Sequence, residues 1–189
     1  EPDSPALTEF FKKYEFRGLL KTVAVQGEKE AKDRDYKTVQ TSRELQAFAQ
    51  EIQKAKAFSF DTETTSADPM KAALVGMSFC QEPFTAYYVP VSSPGQQGPG
   101  LPLAEVLEVV RPVLEDSKVA KYGQNIKYDE MVMTRHGVRL SGIAFDTMIA
   151  SYLVDPVKRN HNLDDLSLEY LNVKKISTES LIGTGKKSI

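Results

Sequence analysis

Asp61 and Glu63, in the segment FSFDTETTS, are the residues whose type and spacing most directly suggest chemistry. The apolar run before them reads as a strand, and alternation along a strand puts residues i and i+2 on one face, with the two carboxylates about 6 to 7 Å apart. Two like charges at that range repel unless a cation neutralises them. Hard oxygen donors at a strand end suit magnesium or manganese better than zinc. A solvated acidic strand end is the plainer alternative for a lone D-x-E. The second group is KYGQNIKYDE, residues 121–130, where a strand hands over to a helix. Gly123 allows a tight turn, Asn125 can cap the helix, and Asp129 follows one turn later on the same face, a third carboxylate beside a polar side chain. Its plainer alternative is an N-cap followed by a first-turn acid favoured by the helix dipole.

The elements that must position these groups are legible in outline. Thr41 and Glu44 form a capping-box pattern, and Leu45, Phe48 and Ile52 recur at helical spacing, which predicts a helix through about Lys54. Strands are predicted over Ala57–Glu63, Ala73–Cys80 and Ala86–Val91, separated by Asp68-Pro69 and Gln81-Glu82-Pro83, as an antiparallel meander. After the loop SSPGQQGPGLP comes a helix with Val106, Val109, Val110, Val113 and Leu114 on its buried face. A short strand at Val119–Tyr122, entered from a helix, should run parallel to the first. Asn125–His136, Asp146–Leu153 and Leu163–Leu171 read as helices, with Asp146 as a first-turn acid of structural role. The expected fold class is α/β, a mixed sheet of about five strands with helices on both faces.

Composition sets the outer limits. The chain has 189 residues, 41% hydrophobic and 26% charged, with 24 Lys and Arg against 26 Asp and Glu. Such a chain can bury one sizeable core, and no overall positive field draws it to a polyanion, so any nucleic-acid contact must be local. A single cysteine, Cys80, excludes a disulfide framework and suits a reducing cytoplasm. No stretch approaches the about 18 apolar residues of a membrane span, and the start EPDSP is unlike a signal peptide. Residues 20–40 are polar and without period, which reads as a linker, preceded by an aromatic cluster of Phe10, Phe11, Tyr14 and Phe16.

Taken together, FDTET, then GQNIKYD, then GIAFDTMIASYLVD and HNLDDLSLEYL resemble the DEDD exonuclease superfamily, with its ribonuclease H-like fold. More narrowly, they resemble the 3′→5′ proofreading domain of bacterial family A DNA polymerases, the DNA polymerase I type. The resemblance covers about residue 40 to the end, and FFKKYEF resembles the close of the 5′ nuclease domain that precedes it there. It implies that residues 1–40 are the tail of that 5′ nuclease domain plus a linker, and residues 41–189 a 3′→5′ exonuclease domain. It also implies two divalent ions, Mg2+ or Mn2+, about 3.5 to 4 Å apart, clamping the terminal phosphodiester of single-stranded DNA. Asp61 would bridge both ions, Glu63 would hold the nucleophile-side ion, and Asp129 would serve the second. Thr62 faces away as packing. Thr64, Gln124, Asn125, Lys127 and Tyr128 match single-strand contacts made without reading sequence. Arg159 and His161 match a basic site before the LDDLSLEYL helix, although Asn160 intervenes and the arginine is displaced by one place. Ala67 stands where a larger apolar wedge is common, a role Met70 can take. The implied partners are a 3′ DNA end and the polymerase and 5′ nuclease domains of one cytoplasmic, nucleoid-associated bacterial chain, the fragment being a monomer.

Two other readings share this chemistry or dispense with it: a ribonuclease D-like exoribonuclease, and a scaffold domain that has lost catalysis. The presence of all three carboxylates favours an active enzyme. The family's last motif, a tyrosine four residues before an aspartate, is absent: after Asp165 no aspartate occurs, and Tyr170 is followed at that spacing by Lys174. The domain therefore reads as incomplete at its C-terminus. Without a third ligand the nucleophile-side ion should bind weakly, because magnesium keeps its waters and needs several fixed oxygens. The 1–189 fragment is expected to hold little or no metal and to leave single-stranded DNA intact with magnesium, activity returning once the chain is extended through that motif.

Overall fold

Alternation of aromatic and polar residues decides the sheet. The computed structural model describes residues 4–14, 16, 18, 19, 34–92, 100–171 and 173, which fall in two compact units, residues 32–154 and residues 1–31 with 155–189. In the first unit lie strands β1 (Asp35–Thr38), β2 (Ala57–Thr64), β3 (Leu74–Cys80), β4 (Thr85–Ser92), β5 (Leu101–Pro102), β6 (Ala120–Gly123) and β7 (Ile143–Asp146). Its helices are α2 (Ser42–Ile52), α3 (Leu103–Glu115), α4 (Ile126–Arg135) and α5 (Thr147–Val154). The order β1-β4-β3-β2-β6-β7, with β5 beside β4, makes a mixed sheet of seven strands rather than about five.

The predicted meander is present: β2, β3 and β4 pair antiparallel, and β6 runs parallel to β2. The strands that were not anticipated are short. Asp35–Thr38 lies in the stretch expected to be linker, yet pairs parallel with β4, every residue exposed. Ile143–Asp146, expected to lead into a helix, is instead an edge strand parallel to β6, and α5 starts at Thr147. The remainder of the expected linker, most of the SSPGQQGPGLP loop and the GTGKKSI end lie outside the described residues.

Register assigns the faces of the sheet. Phe60 pairs with Phe79, Thr62 with Met77, and these with Tyr87 and Val89 of β4, so they share the core face. There α2 buries Leu45, Phe48, Ala49 and Ile52. The Phe48 ring sits 5.0 Å from Phe79 and 5.0 Å from Tyr87, while Phe79 also meets Phe58 at 5.7 Å and Phe60 at 5.2 Å. Burying one such ring is worth about 1.5 to 3 kcal/mol, so this cluster fixes which way β2 presents its alternate residues. Lys121 of β6 faces the same side and is fully buried. Its Nζ donates to the Asp116 carbonyl at 2.6 Å, at the C-terminal end of α3, and burial lowers its pKa.

In the second unit, α1 (Ser4–Lys13) carries the aromatic cluster, with Phe10 and Tyr14 4.7 Å apart. A short helix α6 (Leu163–Leu166), capped by the Asn162 side chain, passes into a π-helical turn at Ser167–Leu171 instead of one continuous helix. Lys158 pairs with Glu169 and lies over the Tyr170 ring.

The capping box of α2 forms as read. The Thr41 hydroxyl accepts from the Glu44 amide at 3.2 Å, and the Glu44 carboxylate accepts from the Thr41 and Gln40 amides at 3.0 and 2.9 Å. Replacing Thr41 with Ala should lower stability by about 1 kcal/mol in urea unfolding, with an unchanged slope.

Candidate metal and nucleic-acid site

The same alternation that buries Phe58, Phe60 and Thr62 leaves Asp61 and Glu63 exposed on the opposite face of β2. Across from them on β3 stand Ser78 and Gly76, small residues that keep this face low. Asp61 and Glu63 are thus brought together as expected, two hard oxygen donors on one open surface.

Asp129 is placed differently. It is buried on α4 and reaches β2 at Thr62, accepting from the amide at 2.8 Å and from the hydroxyl at 2.6 Å, both on Oδ1. Thr62, expected to be packing, does face away from the acidic pair, but its task is to hold the third carboxylate. No sequence signal could reveal this, since the partners are 67 residues apart. Among the described residues no three His, Cys, Asp or Glu side chains are grouped so as to hold a metal ion as they stand. Asp61 and Glu63 offer oxygen donors of the kind a hard divalent cation takes, on the open face, whereas the expected third carboxylate, Asp129, is held by Thr62, whose side chain faces away from that pair. Burial drives the Asp129 pKa up to about 6, opposed by the two Thr62 bonds and reinforced by the charge of Asp146.

The start of α4 is held by Asp146. Its Oδ1 accepts from the Asn125 amide at 3.0 Å and its Oδ2 from Ile126 at 2.9 Å, while Oδ1 also accepts from Met148 at 2.8 Å and Ile149 at 3.2 Å. One buried carboxylate therefore caps two helices, the structural role expected of it in a more demanding form. Asn125 is the N-cap residue by position but makes no side-chain cap. It adopts the left-handed conformation, φ 60°, and its Oδ1 accepts from Lys127 instead. Gly123 serves close approach more than a turn: a Cβ there would fall 2.9 Å from the Ile126 Cβ.

The remaining predicted contacts have these positions. The Gln124 amide oxygen accepts from the Thr147 hydroxyl. Lys127 is exposed, its Nζ 3.9 Å from the Met148 sulfur. Tyr128 is half-buried; its phenol donates to the Ser66 carbonyl and lies 2.5 Å from the Thr64 hydroxyl, tying α4 to the end of β2. Arg135, which sequence reasoning passed over, donates to the Pro69 and Ala72 carbonyls at 2.7 Å each and pins the loop that carries exposed Met70. Arg159, exposed, and His161, half-buried, lie in the other unit.

A family model described as 3'-5' exonuclease matches residues 36–189. DNA polymerase I of Pseudomonas aeruginosa is 34% identical over 202 aligned positions, covering 100% of this chain and 22% of the relative. DNA polymerase I of Chloroflexus aurantiacus is 36% identical over 140, covering 73% and 14%. The chain thus spans between 14% and 22% of the length of these two relatives. Among solved structures, the ribonuclease D of Trypanosoma brucei superposes with a TM-score of 0.64 at 15% identity, over 82% of this chain and 55% of that one. The fold is ribonuclease H-like.

The raised pKa of Asp129 carries a sign that can be checked. Its folded value, about 6 against 3.8 for the free group, means that its charge costs stability as pH rises from the lower value and costs it fully above the higher. Asp129→Asn keeps an oxygen for Thr62 and removes the charge. In chelator at neutral pH the variant should be more stable than the parent by about 1 to 3 kcal/mol, the gain fading as pH falls towards about 4. Equal stability across that range in urea melts would refute it.

Proposed function

The chain belongs to the 3′-5′ exonuclease family of DNA polymerase I, and from that premise we propose that it hydrolyses the 3′-terminal phosphodiester of single-stranded DNA as the proofreading domain of a longer polymerase. The observation that carries this reading is the pairing of Asp61 and Glu63 on an open sheet face whose neighbours are small. The family implies dependence on divalent cations; Mg2+ or Mn2+, two ions in all, would be held by Asp61 and Glu63, with Asp129 serving the second. Bound there, the ions supply charge stabilisation for the attacked phosphate and a lowered pKa for the attacking water.

The chain's own residues bind and orient. Asp61 and Glu63 fix the reacting end against β2, and the net acidity of the pair keeps a bare phosphate away until a cation is present. Thr62 holds Asp129 in place. Lys127, Asn125 and Gln124, at the start of α4, face sugar and phosphate with one cation and two amides, contacts that position a strand without reading its bases. Tyr128, steadied by Thr64 and Ser66, offers an aromatic edge at the end of β2. Met70 stands in for the apolar wedge at Ala67. The partners are a frayed 3′ end and the polymerase and 5′ nuclease domains of one cytoplasmic chain.

In the full-length protein, Asp61→Ala should reduce 3′-end degradation of a single-stranded DNA oligonucleotide below about a hundredth of the parent rate and leave nucleotide addition nearly unchanged. An RNA oligonucleotide of the same sequence serves as the second arm. Faster loss of RNA than DNA would replace the proofreading reading with an exoribonuclease.

A further inference from the structure

Residues 65–73 join β2 to β3 and leave the sheet directly after Glu63 and Thr64. The loop closes on itself. The Thr65 amide donates to the Ala73 carbonyl and the Ala73 amide to the Thr65 hydroxyl, both at 3.0 Å. Within it the Asp68 side chain accepts from the Met70 amide at 3.0 Å, and the Asp68 carbonyl accepts from the Lys71 and Ala72 amides at 3.0 and 2.9 Å. A turn satisfied in this way needs no outside partner to form. It nevertheless has two, and both come from α4. The Tyr128 phenol donates to the Ser66 carbonyl, while one nitrogen of the Arg135 guanidinium, Nη1, donates to the Pro69 and Ala72 carbonyls at 2.7 Å each. Tyr128 and Arg135 are about two helical turns apart and so lie on one face of α4. Asp129, next to Tyr128, ties the same helix to Thr62. α4 thus grips β2, the start of the loop and its far side. Met70, 60% exposed, stands in the chain between the two residues that Arg135 holds.

We propose that Arg135 is a positioning residue for the 3′-terminal nucleotide: its two bonds anchor the loop so that Met70 meets the terminal base at a fixed place relative to Asp61 and Glu63. The inference rests on the exonuclease reading given above, with Met70 as the apolar contact. Because the loop's own bonds already shape it, the guanidinium contributes placement more than folding. It decides where a preformed turn stands against the helix that also carries Asp129. Methionine is unbranched and polarisable, so it can lie against any of the four bases without reading them. Such a side chain orients nothing unless its backbone is anchored, and a misplacement of about 1 Å can cost about a hundredfold in rate. Arginine suits the task because hydrogen bonds from a charged donor are about twice as strong as neutral ones, and two of them restrain direction as well as distance.

The full-length protein would be compared with its Arg135→Met, Arg135→Lys and Met70→Ala forms and with the Arg135→Met, Met70→Ala double variant. Two single-stranded DNA oligonucleotides would serve as substrates with Mg2+, alike except that one ends in an ordinary nucleotide and the other in an abasic one. On the ordinary end Arg135→Met should lower kcat about tenfold at nearly unchanged KM, the scale of a hydrogen bond from a charged group. Met70→Ala, at an exposed position, should do the same, and the double variant should be no slower than either. Arg135→Lys, which keeps a charged donor, should regain part of the loss. On the abasic end, which offers Met70 no base, all four should release the terminal nucleotide as fast as the parent. A purely structural role would slow both ends alike, so equal losses on the two substrates overturn the role of Arg135. Losses that multiply in full in the double variant, or a Met70→Ala form as fast as the parent on the ordinary end, overturn it too. If Asp61→Ala releases 3′ nucleotides as fast as the parent, the exonuclease reading itself fails and the role of Arg135 falls with it.

Discussion

The four hydrogen bonds accepted by the Asp146 carboxylate hold the rest of the site in register. A helix start leaves its first backbone N–H groups without intrahelical partners, and a buried carboxylate is costly unless its oxygens are satisfied. Placing one such carboxylate between the starts of α4 and α5 answers both needs. It also releases Asn125 from capping with its own side chain, so that residue can take the left-handed turn and leave its amide beside Lys127. With the first turn fixed in this way, Asp129 arrives at Thr62 and Tyr128 at Thr64. The motif around residue 125 and the motif around residue 62 are thereby made one object, although neither is near the other in the chain.

Asp129 shows what that object costs. Its burial is not repaid by the two Thr62 bonds, since its carboxyl is still pushed up to about 6. An asparagine could make the same two bonds with no charge to desolvate. In the proposed function that negative charge is what the second cation would draw on.

Legibility followed the range of the interactions. The i, i+2 placement of Asp61 and Glu63 is a property of the strand itself, and Phe58 and Phe60 announce which face is buried, so the pair was readable. The α2 capping box was readable for the same reason, its partners being three residues apart. What failed to show was long-range or unsupported by period. Asp35–Thr38 has no apolar alternation because it is an exposed edge, held by main-chain pairing with β4 and by Lys37 lying over the Tyr87 ring. Ile143–Asp146 gave no strand signal because its four residues are too few to display a period of two, and only Asp146 was read into the helix that follows. Asn125 was read as a side-chain cap because that is the usual use of asparagine before a helix, and only the distant Asp146 makes another arrangement possible.

The two faces of the sheet divide the work. On the core face, four aromatic rings and α2 lock β2 against sliding, and a slip of one residue would bury Asp61 and Glu63 while exposing Phe58 and Phe60. That penalty is far larger than any preference of the acidic pair for its own position, so the location of the carboxylates is enforced from behind. On the open face the residues opposite them, Ser78 and Gly76, are small. The chain has a slight excess of acid, 26 against 24 basic residues, and offers DNA no general attraction. Under the proposed function, a strand end would be held at this surface through a cation bridging it to Asp61 and Glu63. If the proposed proofreading role holds, weak attraction in the absence of that bridge would leave a correctly paired end free for extension.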